Sequence, residues 1–273
     1  MLRTYVFTGL LSLVAATASA GIYSGPTETS HAIDAAIPSN SPLITEWAND
    51  IDATRTYFAT RGSASISLTG VNSLGDLDAS QIAAGASPGY LTVTFPSGVR
   101  NGPGADFAVF ENGFAFGTPN GLFVELAYVE ISSNGVDFAR FPSLSTNIAP
   151  VTGSGAFAGY DMSNVHNLAG KHAAGFGTPF NLDDLLADPL VTGGAVNLAN
   201  IQYVKLVDIP GNGAFLDSLG NAILDNWMTT GSGGFDFRLP VGQGVGVLNA
   251  VPEPSTLALT GIAALLALRR RRR

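Results

Sequence analysis

The side chains best suited to chemistry stand where apolar runs meet turns. Asp106 opens one such run, Glu111 sits in Phe110-Glu111-Asn112-Gly113, and Glu125 interrupts the apolar stretch from Leu122 to Ser132. Asp208 lies near the end of Ile201–Ile209, Asp217, Asn221 and Asp225 belong to DSLGNAILDNW, and Asp236 belongs to GGFDF. Carboxylate and amide oxygens in Gly- and Asn-rich turns, joined by peptide carbonyls, are the donors that a hard cation such as Ca2+ takes. These residues are therefore the candidate ligands of a calcium ion, one that pins loops rather than one that catalyses. Glu125 would share a strand face with Phe123, Ala127, Val129 and Ile131, and Asp208 would share one with Val204 and Leu206. A carboxylate on such a face is costly unless a metal or a cation neutralises it. Arg140, Lys171 and Lys205 are the alternative partners, and a solvent-facing sheet edge is the other way out. The spacing from Asp217 to Asp225 lacks the alternating acids and closing Glu of an EF-hand loop, so the metal signal is one of composition.

Other catalytic patterns are weaker. Gly85-Ala86-Ser87-Pro88-Gly89 fits G-x-S-x-G, but a nucleophile elbow needs a strand before the serine and a helix after it. Here LDASQIAA precedes and YLTVTF follows. His31, His166 and His172 show no zinc spacing, and cysteine is absent. GQGVG at 242–246 lies in no βαβ unit. No catalytic residue is assigned. Phe114, Phe116, Tyr160 and Trp227 are the aromatic rings that would stack on a sugar if they line a rim, and each reads equally well as core.

The elements that must position these groups are short strands. Glycine and asparagine punctuate apolar runs throughout residues 60 to 250, and no helical period persists. Strands are expected at Ser65–Leu68, Tyr90–Phe95, Asp106–Phe110, Leu122–Ser132, Val136–Phe141, Ile201–Ile209 and Phe235–Leu248. Ser133-Asn134-Gly135 reads as a tight hairpin. Helices are expected at Pro42–Asp50 and Asn181–Ala187. The fold class is all-β, an antiparallel jelly-roll β-sandwich, because a lone sheet would leave an apolar face and two edges unprotected.

Both ends read differently from the body. Residues 1–20, ending in Ala18-Ser19-Ala20, have the form of a secretory signal peptide. Residues 21–249 form the body, and residues 250–273 a tail made of Pro252-Glu253-Pro254, an apolar segment from Leu257 to Leu268, and Arg269, Arg270, Arg271, Arg272 and Arg273. Without the ends, 7 basic residues face 20 acidic ones, a net charge of about −13. That excess argues against nucleic acid, which needs clustered Lys and Arg, and suits divalent cations or solubility. An exported body without cysteine must be held by its core or by metal. The apolar segment spans about 18 Å as a helix, less than the ~30 Å hydrocarbon core, and the arginines set its cytoplasmic side.

The tail resembles the PEP-CTERM sorting signal of Gram-negative bacteria that make extracellular polysaccharide. The resemblance implies transient anchoring in the inner membrane, recognition by an exosortase after signal peptidase has acted, and delivery of the body to the cell surface or extracellular matrix. DFAVFENGF, ELAYVEISSNGVDFARFPS, NVHNLAGKHAAGFGTPFNLDDL, VKLVDIPG and DSLGNAILDNW with GGFDF resemble a family of bacterial cell-surface proteins of unassigned activity. YVEISSNGVDFARF and IQYVKLVDI are similar to paired strands of galactose-binding-like, discoidin-type jelly rolls. The chain departs from the family's ending at Asp225-Asn226-Trp227, where D-P-W is commoner, and at Phe237-Arg238-Leu239, where an acidic D-L-D run is usual. The expected function is a non-enzymatic binding or adhesion module, associated with exopolysaccharide and stabilised by calcium. The alternatives are a glycan-acting hydrolase using paired carboxylates and a purely structural matrix protein.

Overall fold

The computed structural model describes residues 22–148, 157–228, 233–239 and 242–252. The signal peptide and the apolar and arginine parts of the tail lie outside them. Among the described residues no helix is long and apolar enough to cross a membrane.

Two five-stranded antiparallel sheets carry the body. The first runs in the order Ile37–Pro38, Phe176–Phe180, Phe107–Phe110, Gly244–Val247, Glu46–Trp47. The second runs Ala139–Arg140, Ala127–Ser132, Ile201–Asp208, Tyr90–Val99, Asp50–Ile51. Alternation along the strands explains the layering, since successive side chains point to opposite faces. Val93, Val129, Val204 and Leu206 from the second sheet meet Phe107, Val109, Phe180 and Val247 from the first in one buried cluster, across which the sheets face each other. Val207 and Tyr128 point the other way, into a second cluster with Leu122, Tyr160 and Ile223. Strand Ile201–Asp208 is thus buried on both faces at its end. The all-β, antiparallel character read from the sequence is what the structure shows.

The differences are local. No helix forms over Pro42–Asp50: Thr45 and Ala48 donate their N–H groups to Val247 and Val245, which makes this segment a sheet edge, and Trp47 packs 5.2 Å from Phe110. The expected strand Leu122–Ser132 splits into Gly121–Phe123 and Ala127–Ser132, leaving Glu125 in the break. The strand expected at Ser65–Leu68 forms instead at Val71–Ser73, paired with Asp236–Arg238. Phe235–Leu248 likewise divides into Asp236–Arg238 and Gly244–Val247. The Asn-Gly hairpin is wider than a two-residue turn. Gly135 has φ +72°, but Asn134 instead accepts from the N–H groups of Val136 and Asp137 through its side chain. Helix Ala79–Ala83 starts at a capping box built on Asp78 and Gln81, and Leu182–Leu185 is a single 3-10 turn. The Ser87 loop lies between that helix and strand Tyr90–Val99, so it is not a nucleophile elbow.

An ion pair fastens the segment 22–36 to the body. Lys171 is fully buried, and its ammonium donates to the carbonyls of Ser24, Met162 and Val165 at 2.8, 2.8 and 2.7 Å, with Asp34 Oδ2 at 3.3 Å. Burial alone would raise the Asp34 carboxyl, but His166, Lys171 and the Ser24 N–H outweigh it and hold it well below the usual carboxylate range. Such a group adds stability that is present above about pH 4 and is lost as pH falls. Asp34→Ala leaves the ammonium buried without its counter-charge, and urea unfolding near neutral pH should show a loss of about 3–5 kcal/mol. Phe180→Ala removes the ring stacked 5.2 Å from Phe107 and set edge-on to Phe141. The same measurement should give a similar loss, from the cavity it leaves.

Candidate functional site

Strand Ile201–Asp208 delivers the first acid. Its hydrogen bonds to Tyr90–Val99 on one edge and Ala127–Ser132 on the other fix the backbone, and the alternation that buries Val204 and Leu206 buries Asp208 too. Asp208 has no exposed surface; Oδ1 accepts from the N–H of Phe235 at 2.7 Å, and Oδ2 finds no hydrogen-bond donor among the described residues. Burial, then the neighbouring Asp76 and Asp236, push its carboxyl far above the usual range. Asp225, 2% exposed, accepts from the Leu126 N–H at 2.7 Å and is raised by burial, then by Asp208, Asp76 and Glu125. Asp76, buried in the loop after Val71–Ser73, is the member that sequence reasoning missed.

Glycine backbone walls this group. A Cβ on Gly234 would stand 2.5 Å from Asp208 Oδ1 and 2.9 Å from the Gly75 carbonyl, and one on Gly233 would stand 3.0 Å from Asp76 Oδ2. The three cations weighed as partners are committed elsewhere: Arg140 and Lys205 pair with Glu130 at 2.7 Å each, and Lys171 with Asp34. Among the described residues no group of three or more His, Cys, Asp or Glu side chains is set to hold a metal ion. Any cation here would rest on fewer acids and on carbonyl oxygens.

The remaining candidates fall into two kinds. Asp106 is a loop pin: Oδ1 accepts from Gly102 N–H and Asn249 Nδ2, both at 2.8 Å, and Oδ2 from Leu182 N–H at 2.7 Å. Asp217 binds its own turn, accepting from the Leu219 and Asn221 N–H groups, the Asn221 amide and the Ser145 N–H. Burial would raise its carboxyl, and these donors lower it below the usual range. Glu111 and Asp236 instead line a cleft of about 470 Å3 with Asn112, Arg238 and Gln243. Asp236 accepts from the Ser73 hydroxyl and, at 3.1 Å, from Asn112 Nδ2. Glu111 accepts from the Gly113 N–H at 2.6 Å, and burial, with Asp236 adding to it, raises its carboxyl to about 8.

The aromatics separate cleanly. Phe114 is 46% exposed and stacks on Phe123 at 4.9 Å; Phe157 packs 5.0 Å from Phe123, and Phe116 lies 6.4 Å from Phe157. For Tyr160 the core alternative holds: it is 5% exposed and belongs to the second core cluster, so it offers no face to a ligand. Trp227 is half-buried and donates Nε1–H to the Leu77 carbonyl at 2.9 Å.

The raised carboxyls fix the sign of a pH dependence. A group whose folded pKa lies above its unfolded one stabilises fully below the unfolded value, and that stability is lost as pH rises through the folded one. In chelator, the melting temperature should therefore fall between about pH 5 and pH 8, and Glu111→Gln should flatten part of the fall, at roughly 2–4 °C per kcal/mol for a body of this size. An identical slope in Glu111→Gln would remove Glu111 from this account.

The end of the body is tied down close to its tail. Arg100 N–H donates to the Asn249 carbonyl, Arg100 Nε to Ala250, and Val251 N–H to Gly98, so the body's bonds run through Val251. Pro252 follows, exposed. No curated protein and no solved structure matches the chain. Residues 250–273 match the model of the PEP-CTERM protein-sorting motif. The tail is therefore an exosortase sorting signal, and the body it follows is that of an exported, cell-surface protein.

Proposed function

We propose that the body is a non-catalytic binding module that contacts exopolysaccharide outside the cell and is stabilised by calcium. The observation that carries the sugar reading is the open row of phenylalanines. Phe114 and Phe157 leave 46% and 58% of their surface in solvent, on rings already stacked or packed against Phe123. Exposed aromatic faces of this kind suit the apolar faces of sugar rings, and the rigid neighbours reduce the entropy lost on binding. A body of net charge about −13 favours a neutral glycan over a polyanion. Binding of the purified body to exopolysaccharide, measured by affinity electrophoresis, should weaken about tenfold in Phe114→Ala and further in the double variant with Phe157→Ala, a tenfold loss being about 1.4 kcal/mol. Undiminished retardation of the double variant would sink this face.

One observation favours a second reading. Glu111 and Asp236 share a cleft with Arg238, and two acidic side chains on one cleft are the pairing that glycoside hydrolysis uses. Release of new reducing ends from the same polysaccharide, abolished in Glu111→Gln, would establish turnover and displace the non-catalytic reading. A purely structural matrix protein would show neither retardation nor release.

Sorting has its own test. Among the described residues, Pro252 is exposed one residue beyond the last backbone bond to the body, so cleavage after it keeps those bonds. Mass spectrometry of the surface form should place its C-terminus between Pro252 and Ser255; recovery of intact Arg273 would rule out processing.

A further inference from the structure

We propose that an oxygen-seeking divalent cation of the Ca2+ class sits against Asp208 and Asp76, with peptide carbonyls completing its shell, and supplies the counter-charge for the body's interior acids. This rests on the calcium reading above and gives that ion a place and a ligand set. The strongest support is Asp208 Oδ2. Strand pairing on both edges and the bond from Phe235 N–H to Oδ1 fix the carboxylate's direction, so the oxygen without a donor cannot swing out to water. It is fully buried, and leaving such an atom unsatisfied costs more than a neutral group would. Further oxygen donors lie close by. Asp76 and Asp236 act on Asp208 through their charge, Asp225 feels Asp208, Asp76 and Glu125, and the Gly75 carbonyl lies beside the Gly234 backbone next to Asp208 Oδ1.

Calcium accepts a shell of one or two carboxylates filled out by backbone carbonyls and waters, so it does not need three converging acids. Two chain crossings would be joined by it: the loop after Val71–Ser73, which carries Asp76, and the end of strand Ile201–Asp208. Gly234 passes Asp208 so closely that no side chain fits between, and Gly233 lies tight against Asp76. The competing way to neutralise the group is protonation of Asp208 and Asp225, and the two differ in their response to metal.

The test uses the mature body in chelator and in Ca2+, at about pH 5 and pH 8. At pH 8 the cation should raise the melting temperature by roughly 5–10 °C at a hundredfold excess over its Kd, with a smaller rise at pH 5, where protons compete. Asp208→Asn should abolish the Ca2+ response while melting in chelator at pH 8 no lower than the wild type, since it removes a buried charge and keeps the shape. A wild type indifferent to Ca2+ at pH 8, or an Asp208→Asn variant with the full response, overturns the proposal. Terbium provides a readout that does not need the Asp208→Asn variant to fold. Trp227 hydrogen-bonds to Leu77, the residue after Asp76, so Tb3+ at this site should emit on tryptophan excitation, lose emission on Ca2+ addition, and not emit in Trp227→Phe. Emission that survives in Trp227→Phe, or its absence in the wild type, counts against the site. Glycan retardation is scored separately: a Ca2+ response without it sinks only the sugar reading, and retardation without a Ca2+ response sinks only this one.

Discussion

The body depends on one strand being held on both edges. Ile201–Asp208 lies between Tyr90–Val99 and Ala127–Ser132, and its register with each leaves no freedom to rotate a side chain from one face to the other. The alternation that places Val204 and Leu206 in the core therefore also places Asp208 there. Desolvating one carboxylate costs several kcal/mol even after relaxation, against a net stability of about 5–15 kcal/mol for a domain. The fold can tolerate Asp208 only if it is neutralised, by a proton or by a cation. Nearby features fit that need: glycine backbone in place of side chains at Gly233 and Gly234, and further acids at Asp76 and Asp225.

The interior acids differ in how they are satisfied, and the difference separates architecture from chemistry. Asp106 has both oxygens bonded and joins three loops, Asp217 closes its own turn, and Asp34 is matched to the Lys171 ammonium. These carboxylates hold the chain in shape, and their donors account for them. Asp208 has one oxygen without a donor, burial outweighs the donors of Glu111, and each lies beside another acid. Burial raises the Asp106 carboxyl too, although its oxygens are well bonded. What marks Asp208 is the oxygen left without a donor, and what marks Glu111 is the cleft it opens onto.

Much of this was legible in the sequence because strands repeat every two residues. YLTVTF, LAYVEIS and IQYVKLVD declare their inward faces, and the inward placement of Asp208 follows from Val204 and Leu206. The tail is legible for another reason: its three parts form a linear signal that needs no tertiary contact to be read. Asp76 was not legible, since SLGDLD is ordinary loop composition and only the pairing of Val71–Ser73 with Asp236–Arg238 brings it to Asp208. Nothing local distinguishes Lys171 from a surface lysine either; oxygens of Met162 and Val165 close by in the chain and of the distant Ser24 and Asp34 converge on it. The false helix at Pro42–Asp50 shows the converse error. A short amphipathic stretch fits a helix and a sheet edge equally, and the open hydrogen-bonding edge of Gly244–Val247 decided between them.

That last strand also links folding to sorting. Gly244–Val247 pairs with Phe107–Phe110 on one side and Glu46–Trp47 on the other, so the first sheet stays divided until residues close to the end of the body have arrived. Leu248 and Asn249 then bond to the Asp106 carbonyl, and Val251 bonds to Gly98. The matched sorting motif begins at Ala250, so its first two residues, Ala250 and Val251, are already bonded to Arg100 and Gly98. A body whose first sheet is incomplete would leave residues 244–251, and with them the first two residues of the motif, without these bonds. The order of the chain thus ties the start of the sorting motif to the strand that completes the first sheet.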